Sequence, residues 1–227
     1  MSTFLTLSRI ARREAGISGD GPESTVAQTG EMERIVAWVN MAWIDVQTEH
    51  PNWRWMRASA TVATTASDNS YAPSEFSTTN FGHWIPNTFR CYTTSVGQSD
   101  EQHLIYMPYD QWRNIYDFGA NATQTGRPAH FSVGPDQSVK LGPAPNSTGY
   151  TIKADYQKEP SDMSGDSDTP DMPDEFHVML VWKALMYYAA FESAPEVYQS
   201  AEREYKRHMS KLRLNQLPGM SLPGPLV

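Results

Sequence analysis

Apolar residues recur with a helical period near both ends of the chain. From Glu31 to Gln47 they fall at i, i+3, i+4 and i+7 along one stripe, which predicts an amphipathic helix. From Phe176 to Phe191 nearly every residue is apolar, which predicts a central core helix because ~16 residues are too few to span a bilayer. The complete pattern predicts helices near 3–14, 31–47, 174–192 and 195–214.

The middle of the chain changes to short extended runs that are rich in Thr, Ser, Tyr, Gly and Pro. The predicted strands are Arg57–Thr65, Phe89–Ser95, His103–Met107, Ala129–Val133, Ser138–Leu141 and Tyr150–Tyr156, with a short helix at Asp110–Tyr116. The pattern predicts an α+β protein: residues 1–50 and 161–216 form a helical core, residues 51–160 an antiparallel β-rich insertion, and residues 217–227 an extended tail.

Composition and charge narrow the class of protein. The 227 residues can form one large or two small domains, and 39% apolar residues are too many for a disordered chain and too few for a membrane protein. The formal charge of −8 argues against a protein that wraps nucleic acid by neutralising phosphates. The single cysteine, Cys91, excludes an internal disulfide and a cysteine-based zinc site.

The residues that could carry chemistry show no catalytic or ligand spacing. The six histidines lack metal-binding spacing, and no P-loop or nucleophile elbow occurs. The acidic loop Asp162–Asp174 departs from a calcium loop because Pro170 and Asp171 stand at the ligand and glycine positions counted from Asp166. We therefore expect no enzyme activity, no cofactor and no metal, although a hydrolase built from distant carboxylates and histidines stays open as an alternative.

Two sets of residues are candidate binding surfaces. Trp38, Met41 and Ile44 lie off the buried stripe of their helix, so we expect them to contact a neighbouring subunit. The last helix carries a basic stripe, and the tail carries apolar residues between prolines and glycines: Arg203, Lys206, Arg207, Lys211, Arg213, Leu217, Met220, Leu222, Leu226 and Val227. The stripe fits a DNA-binding helix, an ordinary solvated helix surface or a contact with an acidic protein.

The order of motifs resembles the head–tail adaptor (connector or neck) proteins of tailed bacteriophages. The resemblance rests on Gly126-Arg-Pro128 before a strand, on a strand that ends in Gly142-Pro-Ala-Pro145, on Tyr150 and Tyr156, and on Asp168–Phe176 leading into the core helix. It implies a structural virion protein, a ring (usually a dodecamer) under the portal that continues the DNA channel used in genome ejection.

The resemblance also implies partners. These are the portal protein, which the last helix and tail would contact, and the tail or neck proteins below, with double-stranded DNA passing through without specific binding and no membrane. Assembly would take place in the cytoplasm of the bacterial host. A tail completion or terminator protein of the neck is the alternative within the same class, and a sequence-specific DNA binder is opposed by the net charge.

Overall fold

The computed structural model describes residues 2–217. The predicted tail therefore lies outside the described residues except for Leu217, and so do Met220, Leu222, Leu226 and Val227. The α-helices are α1 Phe4–Glu14, α2 Gly30–Thr48, α3 Tyr109–Trp112, α4 Val178–Phe191 and α5 Pro195–Gln216. The strands are β1 Arg57–Ala63, β2 Ser70–Tyr71, β3 Phe81–Trp84, β4 Arg90–Thr93, β5 Gln102–His103, β6 Ile105–Tyr106, β7 Thr125–Gly126, β8 His130–Val133, β9 Val139–Gly142, β10 Ala144–Pro145 and β11 Tyr150–Lys158.

The chain forms two compact units, each with its own hydrophobic core. The helical unit consists of the chain up to Met56 and from Pro160 onward, and the β unit is Arg57–Glu159. Helices and strands are thus segregated along the chain, which confirms the α+β class predicted from the pattern.

Helix α1 packs its Phe4, Leu7 and Ala11 into the core of the helical unit. Leu5 and Ile10 are only partly buried, because the i, i+3, i+7 stripe of this helix begins at Phe4. Thr3 caps the helix, since its hydroxyl accepts a hydrogen bond of 3.2 Å from the Thr6 N–H. The boundaries of α1, α2 and α5 lie within two residues of those predicted.

The segment before α4 begins with a 3-10 turn, Asp174–Phe176, so the α-helix itself starts four residues later than predicted. His177 lies between the turn and the helix, is almost fully buried, and pairs through Nε2 with the Met172 carbonyl at 2.9 Å. This histidine therefore has a packing role at the helix start.

The acidic loop forms hydrogen bonds with the N-terminal part of the chain, including the start of α1. Asp166 Oδ1 accepts hydrogen bonds from the Thr25 N–H and hydroxyl, and these bonds hold the pKa of Asp166 below its ordinary value. The Phe4 N–H donates to the main-chain oxygen of Asp168 at 2.7 Å. Within residues 2–217, no three histidine, cysteine, aspartate or glutamate side chains are placed to share a metal ion.

The β unit is organised around the nine-residue strand β11. On one side it pairs with β1, and on the other with β4 and β3, all antiparallel, with β5 beyond β4. A second sheet has the order β2-β9-β8-β6. Two pairs depart from the predicted antiparallel arrangement, since β6 pairs with β8 and β7 with β10 in parallel.

The predicted strand His103–Met107 is divided between these two sheets. Its first part, β5, pairs with β4, and its second part, β6, pairs with β8. Between them Leu104 is fully buried and its N–H donates to the Phe89 oxygen at 3.1 Å. One short segment therefore joins both sheets. It contacts Phe89, whose ring stacks on that of Phe131 with the centroids 4.0 Å apart.

Cys91 lies in β4 and is fully buried, and burial raises the pKa of its thiol. Beside it, the Arg127 guanidinium donates to the Cys91 carbonyl at 3.2 Å and to both the carboxylate and the main-chain oxygen of Asp100. The Thr93 N–H donates to the same carboxylate at 3.0 Å. Arg127 thus ties the turn around Asp100 to β4.

We predict that the Asp100–Arg127 contact makes the β unit sensitive to acid. Hydrogen bonds from Arg127 and then Thr93 lower the pKa of Asp100 to about 2. Because the folded pKa lies below the unfolded value of 3.8, its stabilisation is present above pH ~4 and is lost as the pH falls toward 2. Asp100→Asn should lower the thermal midpoint at pH 7 and flatten its fall between pH 4 and pH 2. Asp110→Asn removes one charge elsewhere in this unit and should leave the slope unchanged; equal slopes for all three proteins would contradict the assignment.

The ring of Tyr116 packs against Gly142 of β9 in the second sheet. The chain after α3 continues as a π-helical turn, Arg113–Asp117, and the Tyr116 hydroxyl meets His130 Nδ1 at 2.9 Å. A Cβ atom placed on Gly142 would lie 2.4 Å from the Tyr116 ring, closer than real Cβ contacts.

We therefore predict that Gly142→Ala destabilises the β unit by roughly 1–3 kcal/mol, because the hydrogen-bonded ring must move to make room. Gly149→Ala is the matched control, since the added atom would meet only the Ser147 hydroxyl at 3.3 Å. Chemical denaturation of the two variants measures the difference. A Gly142→Ala protein as stable as the control would show that the ring is not held in place.

Candidate assembly surfaces

A polar network joins the three long helices and fixes the surfaces that they expose. Asp45 of α2 accepts a hydrogen bond from the Tyr187 hydroxyl and lies 3.1 Å from Lys183 Nζ, both on α4. One turn further along α2, Glu49 accepts from the Tyr205 hydroxyl at 3.3 Å and pairs with Arg213, both on α5.

The network also alters the acidity of its two phenols. Burial, followed by the neighbouring Asp45, raises the pKa of Tyr187 above its ordinary range. Burial and then Glu49 do the same for Tyr205. The Lys183 ammonium lies over both rings, 5.6 Å from the Tyr187 centroid and 5.2 Å from the Tyr205 centroid.

The predicted subunit contact on α2 contains three different environments. Met41 is 47% exposed, whereas Ile44 is partly buried. Trp38 packs within its own unit, against Tyr188 and Phe191 of α4, at centroid distances of 6.1 and 5.8 Å. Trp38 therefore packs beneath an apolar surface formed by α2 and α4, and Met41 belongs to the exposed part of that surface. The role of this surface in subunit contact remains a prediction.

Two residues of this surface were not predicted. Phe191, the last residue of α4, is 54% exposed, and the Arg34 guanidinium lies 4.5 Å from its ring centroid. The sequence did contain a sign of this exposure: the apolar run continues to Phe191, the last residue of the helix, and few neighbours can cover a side chain at a helix end. We call Arg34, Trp38, Met41 and Phe191 the α2–α4 surface.

The turn between α4 and α5 adds an apolar depression of about 370 Å³. It is lined by Ala189, Ala190, Ser193, Ala194, Pro195, Tyr198 and Gln199. Val197 and Tyr198 share one side of α5 with the buried Ala201 and Tyr205, but both are exposed. The first turn of α5 is therefore only partly covered, by the residues that line this depression.

The predicted basic stripe on α5 is largely neutralised. Lys206 pairs with Glu202 at 2.8 Å, Arg207 with Glu204 at 3.3 Å, and Arg213 with Glu49. Arg203 and Lys211 are exposed and form no ion pair with any residue from 2 to 217. The stripe therefore carries two uncompensated cations rather than five, which weakens the DNA-binding interpretation.

The C-terminal end of α5 carries a second, different surface. Leu214 is 87% exposed and lies with Lys211, His208, Asn215, Phe176 and Glu175 around an open depression. Tyr198 and Leu214 are separated by 16 residues of α5, or roughly 24 Å at the helical rise. The helical unit therefore presents two different surfaces near the two ends of one helix, one apolar and one of mixed polarity.

A family model described as SU10 adaptor protein matches residues 2–224, nearly the whole chain. A search of curated proteins finds no match. The match defines the class as a structural adaptor protein of bacteriophages. The chain belongs to the SU10 adaptor protein family. In residues 2–217, no helix is both long and apolar enough to cross a membrane.

We predict that the network on α2 makes the helical unit sensitive to alkali. The folded pKa values of Tyr187 and Tyr205 lie above the unfolded value of 10.0, so their stabilisation is present below pH 10 and is lost as the pH rises through the folded values. The double variant Tyr187→Phe, Tyr205→Phe should be about 1–2 kcal/mol less stable at pH 8, and the difference should shrink above pH 10. Chemical denaturation at pH 8 and above pH 10 measures this difference in the free energy of unfolding. The exposed Tyr198→Phe serves as control, and a constant difference would contradict the prediction.

Proposed function

We propose that this protein is the head-to-tail adaptor of its phage: a ring, most simply a dodecamer, that binds under the portal, continues the DNA channel and attaches the tail. The observation that carries the proposal is the SU10 adaptor family match across residues 2–224. In this role the protein is a virion component that binds and positions other proteins and catalyses no reaction.

The surfaces of the helical unit support a closed ring. A ring needs heterologous contacts, in which one surface of each subunit meets a different surface of the next. The α2–α4 surface supplies an exposed aromatic ring and a methionine, which are residue types enriched at protein interfaces. We assign the α2–α4 surface, including the predicted Trp38 and Met41, to one side of this contact.

We assign portal binding to the basic stripe of α5 and the segment that follows this helix. Arg203 and Lys211 provide charge without an intramolecular partner among the described residues, and Leu214 is exposed beside Lys211. The remaining predicted docking residues of the tail lie outside the described residues. We assign the β unit to the tail side.

The net charge supports passage of DNA without tight binding. A chain with a formal charge of −8 repels phosphates on average, and the basic stripe is largely compensated by glutamates. Duplex DNA can therefore pass a ring of such subunits without specific contacts.

We predict that Phe191→Asp blocks ring assembly without unfolding the chain. The side chain is more than half exposed, so the thermal midpoint should stay close to that of the native protein, whereas loss of a central aromatic contact should weaken assembly more than ~10-fold. Sedimentation of the chain with portal-containing heads, and imaging of those heads, measure assembly.

Val26→Asp is the matched control, because Val26 is exposed to a similar extent but lies in the loop before α2 and is not one of the α2–α4 surface residues. Normal rings from Phe191→Asp would show that the subunit contact lies elsewhere. Heads that attach tails without this chain would overturn the adaptor function itself.

A further inference from the structure

Strand β1 pairs on one side only. All seven of its residues pair with β11 without a register shift, from Arg57 opposite Gln157 to Ala63 opposite Thr151. β1 is the end of its sheet, so no other strand of residues 2–217 lies along its other side. It is the longest strand at a sheet edge in the described residues, since the other edge strands, β2, β3, β5, β6, β7 and β10, have two to four residues each.

The hydrogen-bond pattern shows which main-chain groups point away from β11. The Thr64 N–H donates to the Tyr150 oxygen at 2.9 Å, and in an antiparallel pair such bonding recurs at every second residue. Residues 58, 60 and 62 therefore face β11. The N–H and C=O groups of Arg57, Ser59, Thr61 and Ala63 point outward, and all four of these residues are exposed.

The open edge lacks the usual protection against a further strand. Edge strands are commonly very short or interrupted by proline, lysine or a bulge. The sequence of β1, Arg-Ala-Ser-Ala-Thr-Val-Ala, contains no proline or lysine, and its pairing with β11 contains no bulge. Only Arg57, at the first position, carries a charge, and it is paired with Asp155.

We propose that β1 binds an extended segment of the tail-side partner protein, which adds to the sheet as one more strand. The proposal rests on the proposed function for the identity of the partner. Main-chain hydrogen bonds to Ser59, Thr61 and Ala63 would provide the register. Because Ala60 and Val62 face the core while Ser59 and Thr61 face solvent, the bound segment alternates apolar and polar residues.

Residues 2–217 of a second copy offer no strand that fits this edge. The other described edge strands are too short to pair along seven residues. Pairing of β1 with β1 of another copy would be a two-fold contact, whereas a closed ring with more than two subunits needs heterologous contacts. We therefore assign the edge to a different protein.

Hydrogen exchange tests the proposal directly. The peptide that covers β1 is compared in the isolated chain, in heads that carry the protein but no tail, and in complete particles. We expect the amides of Ser59, Thr61 and Ala63 to exchange rapidly in the first two samples and to be protected in the third. The amides of Ala60 and Val62 should be protected in all three.

A proline at an outward position gives an independent test. Thr61→Pro removes an N–H that β11 does not use, and proline is tolerated on the open side of an edge strand. We expect a folded chain that enters heads normally but attaches tails at least tenfold less. Thr61→Ala keeps the N–H and should behave as the native protein. If Thr61→Pro fails to fold, the exchange experiment decides alone.

The possible results separate this proposal from the adaptor function. Protection of β1 that is already present in tailless heads would mean that another copy or the portal covers the edge, and would overturn the proposal. Rapid exchange in complete particles, or normal tail attachment by Thr61→Pro, would also overturn it. Absence of the chain from heads would instead overturn the adaptor function.

Discussion

The structure depends on the pairing of the first and last strands of the β unit. β1 begins at the residue after the helical unit ends, and β11 finishes just before the chain returns to it. Because Arg57 lies opposite Gln157, the two connections leave and enter side by side. The Arg57–Asp155 ion pair lies next to them. The insertion of about a hundred residues therefore begins and ends at neighbouring points. The chain before Arg57 and the chain after Glu159 can then pack together in the helical core.

The helical unit joins these two segments through specific polar contacts as well as apolar packing. Asp45 and Glu49 precede the insertion, whereas Lys183, Tyr187, Tyr205 and Arg213 follow it, and they meet in one network. Apolar stripes can slide along one another, but partly buried hydrogen bonds to carboxylates fix one register between helices. The α2–α4 surface depends on that register because Trp38 of α2 supports Phe191 of α4.

The helices could be predicted well from the sequence, because a long apolar stripe must be buried in a core whichever other helices form that core. The sequence also located the strands that alternate clearly, such as β11. It missed β2, β3, β7 and β10, which have two to four residues and exist only because distant residues pair with them. The division of His103–Met107 between two sheets likewise depends on the distant Phe89. For the surfaces, periodicity placed Met41 off the buried stripe, and it is exposed, although its contact with a neighbouring subunit stays a prediction. The exposure of Phe191 and the neutralised basic stripe required knowledge of which neighbours are present.

The buried Cys91 has a practical consequence for work on the assembled particle. Its thiol is inaccessible in the folded chain, and its raised pKa keeps it in the less reactive protonated form at neutral pH. A thiol-directed dye or cross-linker would therefore leave the native protein unmodified. Any cysteine introduced at the surface becomes the one reactive thiol of this chain, so it can be labelled without first removing the natural cysteine.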